Sequence, residues 1–218
     1  MIGGLLQVIL VKVGNTVDSE TGEKIVDLLV GMFKSLKKVT ENGLIAYSGL
    51  CQGIKARVNV TKMGEYILYA LQGSDEACAR VACGVISDIA CALEGDVEKY
   101  LSSFVPHLLV ILTSDNHDRQ TKLQAIASLG DLCIYAGIPF IKMYLAETLR
   151  ILESAATLTL KKIDFKDDPD TLEYLQELQQ HIMDCYSSLV SSCSEANIHF
   201  DTLMTYMPNL FFFLQSKA

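Results

Sequence analysis

The chain of 218 residues has no tryptophan, only 4 prolines and 14 glycines, and fewer basic than acidic side chains. Proline and glycine this scarce exclude collagen-like and low-complexity chains, and leave too few turn formers for an all-β sandwich. The longest uncharged stretches are Leu101–Ser114 and Thr202–Ser216. Both fall short of the roughly 18–20 apolar residues of a spanning helix, so no membrane partner is expected. The first residues, from Met1 to Lys12, have no basic leader and no small-residue cleavage site, and do not read as a signal peptide.

Eighteen Lys and Arg against 26 Asp and Glu leave a net charge of −8. Such a surface repels nucleic acid and makes basic proteins or peptides the favoured partners. Most of the excess lies after residue 110. The seven cysteines (Cys51, Cys78, Cys83, Cys91, Cys133, Cys185, Cys193) form no C-x-x-C pair and no Cys/His zinc spacing. They read as small core hydrophobes in a reducing compartment, cytosol or nucleus. P-loop, dinucleotide and Gly-x-Ser-x-Gly fingerprints are absent, so neither cofactor nor catalysis is expected.

Half of the residues are apolar, enough for a buried core, and they repeat. The stretch 81–93 matches 124–136 in apolar pattern, with Asp88 and Asp131 at equivalent places and Lys99 and Lys142 at the same offset. Leu50, Ile89 and Leu132 fit one frame, and Leu71, Leu112 and Leu152 mark a second at a period near 40. Val81, Val85, Ile89 and Leu93 form one face of a helix. Leu101, Phe104, Val105, Leu108 and Leu112 line another, in which Pro106 either starts or kinks the helix. Val105-Pro106-His107-Leu108 returns as Met207-Pro208-Asn209-Leu210.

Two antiparallel helices per period of about 40 residues are the HEAT/armadillo pattern; a tetratricopeptide repeat has 34. The fold expected is all-α, an α-α superhelix of about five antiparallel helix pairs. They fall near 1–38, 42–72, 76–113, 118–156 and 170–215 of a single solenoid, with a longer charged loop at 157–169.

Gly130-Asp131-Leu132-Cys133, Asp88-Ile89 with Lys99-Tyr100-Leu101, and Asp167-Asp168-Pro169-Asp170-Thr171-Leu172-Glu173-Tyr174-Leu175 together resemble the importin-β (karyopherin-β) family of nuclear import receptors. The resemblance runs from about residue 40 onward and is to the C-terminal HEAT repeats. It implies a fragment of a longer receptor, lacking the N-terminal repeats that contact the GTPase Ran and the last, tryptophan-bearing repeat. It also implies partners for the parent: importin-α or basic cargo segments, Ran, and Phe-Gly nucleoporins. The implied location is cytoplasm, nucleus and nuclear pore.

In that family, acids on second helices hold basic arms, which makes Asp27, Glu98, Glu147 and Asp201 the expected contacts for a basic partner. Glu23, Glu65 and Glu153 share the pattern, and an ordinary solvated helix face explains any one of them equally. Asp88 and Asp131 read as packing aspartates that bond to a neighbouring repeat. His107, His117, His181 and His199 stand apart from metal-ligand spacings. Gly49-Leu50-Cys51-Gln52-Gly53 has the outline of a nucleophile elbow, but it lies mid-helix with no paired histidine. Lys34, Lys37 and Lys38 complement a helix dipole. The apolar run Leu210–Leu214 would be exposed unless another repeat covered it. A HEAT scaffold for another assembly, or an all-α enzyme with a convergent pocket, remain alternatives.

Overall fold

Helix starts in this chain are set by short polar side chains. In a computed structural model describing residues 2–159 and 168–196, six helices are capped by a side-chain oxygen accepting from the N–H three residues on: Asp18 from Thr21 (2.7 Å), Thr40 from Gly43, Asn59 from Lys62, Asp75 from Cys78, Asp118 from Thr121 (2.6 Å) and Asp168 from Thr171. Each bond satisfies a donor that the helix itself leaves without a partner. The Thr21 and Cys78 N–H groups hold the Asp18 and Asp75 carboxyls below the ordinary carboxylate value.

The helices are α1 (Ile2–Val13), α2 (Ser19–Leu36), α3 (Glu41–Ile54), α4 (Val60–Gln72), α5 (Glu76–Leu93), α6 (Leu101–Thr113), α7 (Arg119–Ala136), α8 (Ile138–Thr159) and α9 (Pro169–Glu195). Odd-numbered helices pack in one layer, α1 on α3, α3 on α5, α5 on α7 and α7 on α9. Even-numbered helices α2, α4, α6 and α8 stack in a second, and each also rests on the first helix of the next pair. This is the α-α superhelix expected from the period.

Two local features sharpen the sequence reading. Within the expected third pair, 76–113, Glu94–Tyr100 forms a 3-10 segment and the second helix, α6, begins at Leu101. Pro106 lies inside α6, so of the two alternatives it is not the helix start. The latter part of the expected last pair, 197–215, lies outside the described residues, as do Asp201, His199 and Leu210–Leu214.

One core runs the length of the stack, including Phe33, Tyr47, Phe104 and Phe140, all almost fully buried. Tyr47 Oη donates to the Asn59 carbonyl (3.1 Å), which lets the ring fill the interior without stranding its hydroxyl. Arg57 ties the first pair to the second, donating to the carbonyls of Val17, Gly14 and Ile54.

Candidate partner-binding faces

The polar residues that the repeat pattern singled out fall between first-layer helices. Ser48 Oγ of α3 donates to Asp88 Oδ2 of α5 (2.6 Å), and Gln52 Nε2 donates to Asp88 Oδ1 (2.9 Å). Gln7 of α1 donates to Ser48 Oγ (3.1 Å), so the chain of bonds crosses three helices. Burial pushes the Asp88 carboxyl up; the two donors pull it down, and Asp131 adds a like charge. Asp131 accepts no hydrogen bond and joins no ion pair among the described residues. Further along, Ser87 meets Ser128 (3.2 Å), and Ser128 and Ser192 donate to the carbonyls of Cys83 (2.7 Å) and Cys133 (3.1 Å).

Gly49 and Gly53 are where α3 crosses α1. A Cβ on Gly49 would lie 2.5 Å from Gln7 Cα, and one on Gly53 would strike the Leu10 carbonyl. Cys51 between them is fully buried, and burial holds its thiol well above the usual range. The elbow-like string is therefore a helix crossing, with its thiol enclosed in the core.

The acids expected to meet a basic partner are separated. Asp27 on α2 and Glu23 both ion-pair with Lys62 on α4, at 2.7 and 2.8 Å. Glu147 on α8 pairs with Arg150 one turn on (2.6 Å), whose guanidinium lowers its carboxyl. Glu98 is exposed, and lies on the 3-10 segment before α6. Two of the three described candidates thus already hold an in-chain cation.

His107 Nδ1 donates to the Ser103 carbonyl (2.8 Å) and Nε2 accepts from Gln72 Nε2 (2.6 Å), so both ring nitrogens are used. His117 Nδ1 meets Glu76 (3.1 Å), and His181 Nδ1 meets the Glu177 carbonyl (2.9 Å). Among the described residues, no group of His, Cys, Asp and Glu is arranged to hold a metal, and no helix is long and apolar enough to cross a membrane.

One constellation the sequence reading missed lies at the end of α2. Lys34, Lys37 and Lys38 line a groove with Phe33, Val39, Glu65, Tyr66 and Tyr69. The signal was spread over two helices: lysines at one helix end, tyrosines three apart on the next second-layer helix.

Stacked helix pairs with polar bonds between first helices define the class: an α-solenoid. A family model described as importin subunit beta-1-like, TPR repeats, matches residues 1–218, and the chain belongs to that family. Bonds between consecutive first helices span 40 residues at Ser48–Asp88, 41 at Ser87–Ser128 and 59 at Cys133–Ser192. Importin subunit beta-1 of Arabidopsis thaliana is 26% identical over 225 residues, covering 99% of this chain and 25% of the relative. The Saccharomyces cerevisiae protein is 24% identical over 207 residues, covering 90% and 23%. The chain thus spans about a quarter of the length of these relatives. A crystal structure of importin beta superposes with a TM-score of 0.78 at 22% identity, over 97% of this chain and 24% of that one. A Kap95:Nup1 complex matches at 0.70 and 21% identity, covering 91% and 23%. A structure of Kap95p with RanGDP matches at 0.71 and 21%, covering 96% and 24%. At these identities the likeness is one of fold.

Proposed function

We propose that the chain is one continuous solenoid segment, with pairs near 1–38, 42–72, 76–113, 118–156 and 170–215, from the C-terminal HEAT region of a nuclear import receptor. It would act by binding, without catalysis, between cytoplasm and nucleus through the nuclear pore. The observation that carries this is the family match along the whole chain together with the two-layer stack. The exposed apolar side chains of α1, Leu5, Val8 and Ile9 among them, fit a face that another helix pair covers.

In this reading the parent receptor takes importin-α or basic cargo segments, Ran and Phe-Gly nucleoporins. Asp27, Glu98, Glu147 and Asp201 supply carboxylates to basic segments, while Asp88, through Ser48 and Gln52, sets the register of neighbouring repeats and Asp131 packs at the equivalent place on the next first helix. Many small interfaces between pairs let curvature adapt to each partner. A pull-down by the full-length parent, with importin-α's basic segment, Ran loaded with GTP, and Phe-Gly repeats as baits, tests it. Capture of these baits is expected; binding none of them overturns the transport role.

The in-chain pairing of Asp27 and Glu147 favours a second reading, a HEAT scaffold for another assembly. Lys62→Gln separates the two. It frees Asp27 and Glu23, so a transport receptor's affinity for a Lys/Arg-rich peptide rises, whereas a scaffold's is unaffected.

A further inference from the structure

The end of α2 gathers the features of a docking groove for a negatively charged chain. The backbone reverses at Lys37, in the left-handed region (φ 51°), with Lys37 N–H and Lys38 N–H donating to the Lys34 and Phe33 carbonyls. This cap fans Lys34, Lys37 and Lys38 around one rim. The α4 side is Tyr66, stacked obliquely on Phe33 (centroids 5.3 Å apart), and Tyr69, which is 63% exposed. Phe33 and Val39 are buried and form the floor. This cavity, about 350 Å³, shares Lys38, Val39 and Tyr69 with a second of about 490 Å³ that continues past Gly73 and Ser74 to Asp75 and Cys78 at the start of α5.

The charges in the groove do not cancel. Lys38 pairs with Asp75 at 3.2 Å, and Glu65 lies on the α4 side. Lys34 and Lys37 join no ion pair among the described residues. Two uncommitted lysines beside an exposed tyrosine stand out in a chain whose net charge is −8.

We propose that this groove binds an extended acidic peptide segment of a partner protein. Its carboxylates reach Lys34 and Lys37, and an aromatic side chain lies against Tyr66 and Tyr69. The two cavities share Lys38, Val39 and Tyr69 in their linings, which suits a segment several residues long. Its cations are all lysines, point charges without the bidentate fork that concentrates on a single phosphate, so carboxylates spaced along a chain fit it better than one phosphoryl group. A nucleic acid would also find cations and stacking rings here, but its dense charge meets the repulsion of the whole acidic chain. A short acidic peptide carries too little charge for that field to dominate.

Fluorescence anisotropy of the 218-residue chain with a labelled Glu/Asp peptide containing one central Phe tests this. Saturable binding is expected, weakening as salt rises from about 50 to about 300 mM. Lys34→Glu/Lys37→Glu should weaken it at least about tenfold, and Tyr69→Ala or a Phe→Ala peptide about fivefold. The Lys12→Glu/Lys142→Glu control makes the same change of net charge elsewhere and should leave affinity within about twofold. Melting by circular dichroism checks that the variants fold; Lys34→Gln/Lys37→Gln replaces the reversed pair if it does not. No binding, equal loss in the control, or oligothymidylate competing as well as the peptide overturns the proposal. So does a self-association, seen by sedimentation, that Lys34→Glu/Lys37→Glu abolishes, since the occupant is then a second copy.

Discussion

Ser48 and Asp88, 40 residues apart, share a 2.6 Å hydrogen bond that joins the first helices of consecutive pairs. Removing the carboxylate with Asp88→Ala leaves Ser48 and Gln52 with donors aimed at nothing and should lower stability by about 1–2 kcal/mol in urea titrations. Asp88→Asn keeps an acceptor for Gln52 and should cost about 0.5 kcal/mol at neutral pH. The folded carboxyl titrates above its unfolded value, so the native state holds the proton more tightly. Wild-type stability therefore gains from this group as pH falls from neutral toward the ordinary carboxylate range, and loses it as pH rises. The advantage of wild type over Asp88→Asn should grow on acidification.

Two glycine substitutions should have opposite signs. Gly53→Ala forces a methyl into the Leu10 carbonyl where α3 crosses α1, and is expected to cost about 1–3 kcal/mol. Gly64→Ala, on α4, meets nothing within 4 Å and should gain about 0.5–1 kcal/mol from helix propensity. Thermal denaturation of both variants distinguishes them.

First helices α3, α5 and α7 end at residues with nearly the same backbone angles: Lys55 (φ 52°, ψ −132°), Glu94 (49°, −130°) and Gly137 (58°, −124°). Only the last is the residue type that adopts this region without strain. Lys55→Gly and Glu94→Gly should each raise stability by about 1 kcal/mol, and Gly137→Ala should lower it by about 1–3 kcal/mol. Chemical denaturation midpoints give the answer.

Thr148 on α8 is fully buried, and its hydroxyl has no hydrogen-bond partner among the described residues. Thr148→Val keeps the shape, removes the stranded group, and should stabilise by about 1 kcal/mol. A lower melting temperature would mean that the hydroxyl has a partner.

Cys91 is exposed, whereas Cys51, Cys83 and Cys185 are buried in the core. Burial pushes the Cys83 thiol up to about 12 and the Cys51 and Cys185 thiols up as well. Brief iodoacetamide treatment of the native chain, followed by peptide mass mapping, should modify Cys91 first and spare those three.

The helical face of Val81, Val85, Ile89 and Leu93, and the return of its pattern 43 residues later around Asp131, made the all-α stack legible. Both signals are local: a helix face needs only its own spacing, and a repeat needs only itself again. The candidate sites were legible to a lesser degree. Glu98 and Asp27 have the same chemistry in sequence and both are exposed, but Glu98 lies on a 3-10 segment whereas Asp27 ion-pairs with Lys62 on the neighbouring second-layer helix. The six caps were open to sequence reasoning, since Asp, Asn or Thr precedes each helical run by one residue.

By itself the sequence determined the all-α repeating character and the acidic balance, because side-chain spacing and charge are carried by consecutive residues. Only the tertiary structure decided that Gly49 and Gly53 form a crossing, that Asp88 bonds back to Ser48, and that Lys34 and Lys37 face Tyr66 and Tyr69. Those neighbours lie on different helices, and which side chains meet depends on how closely and at what angle the helices pack.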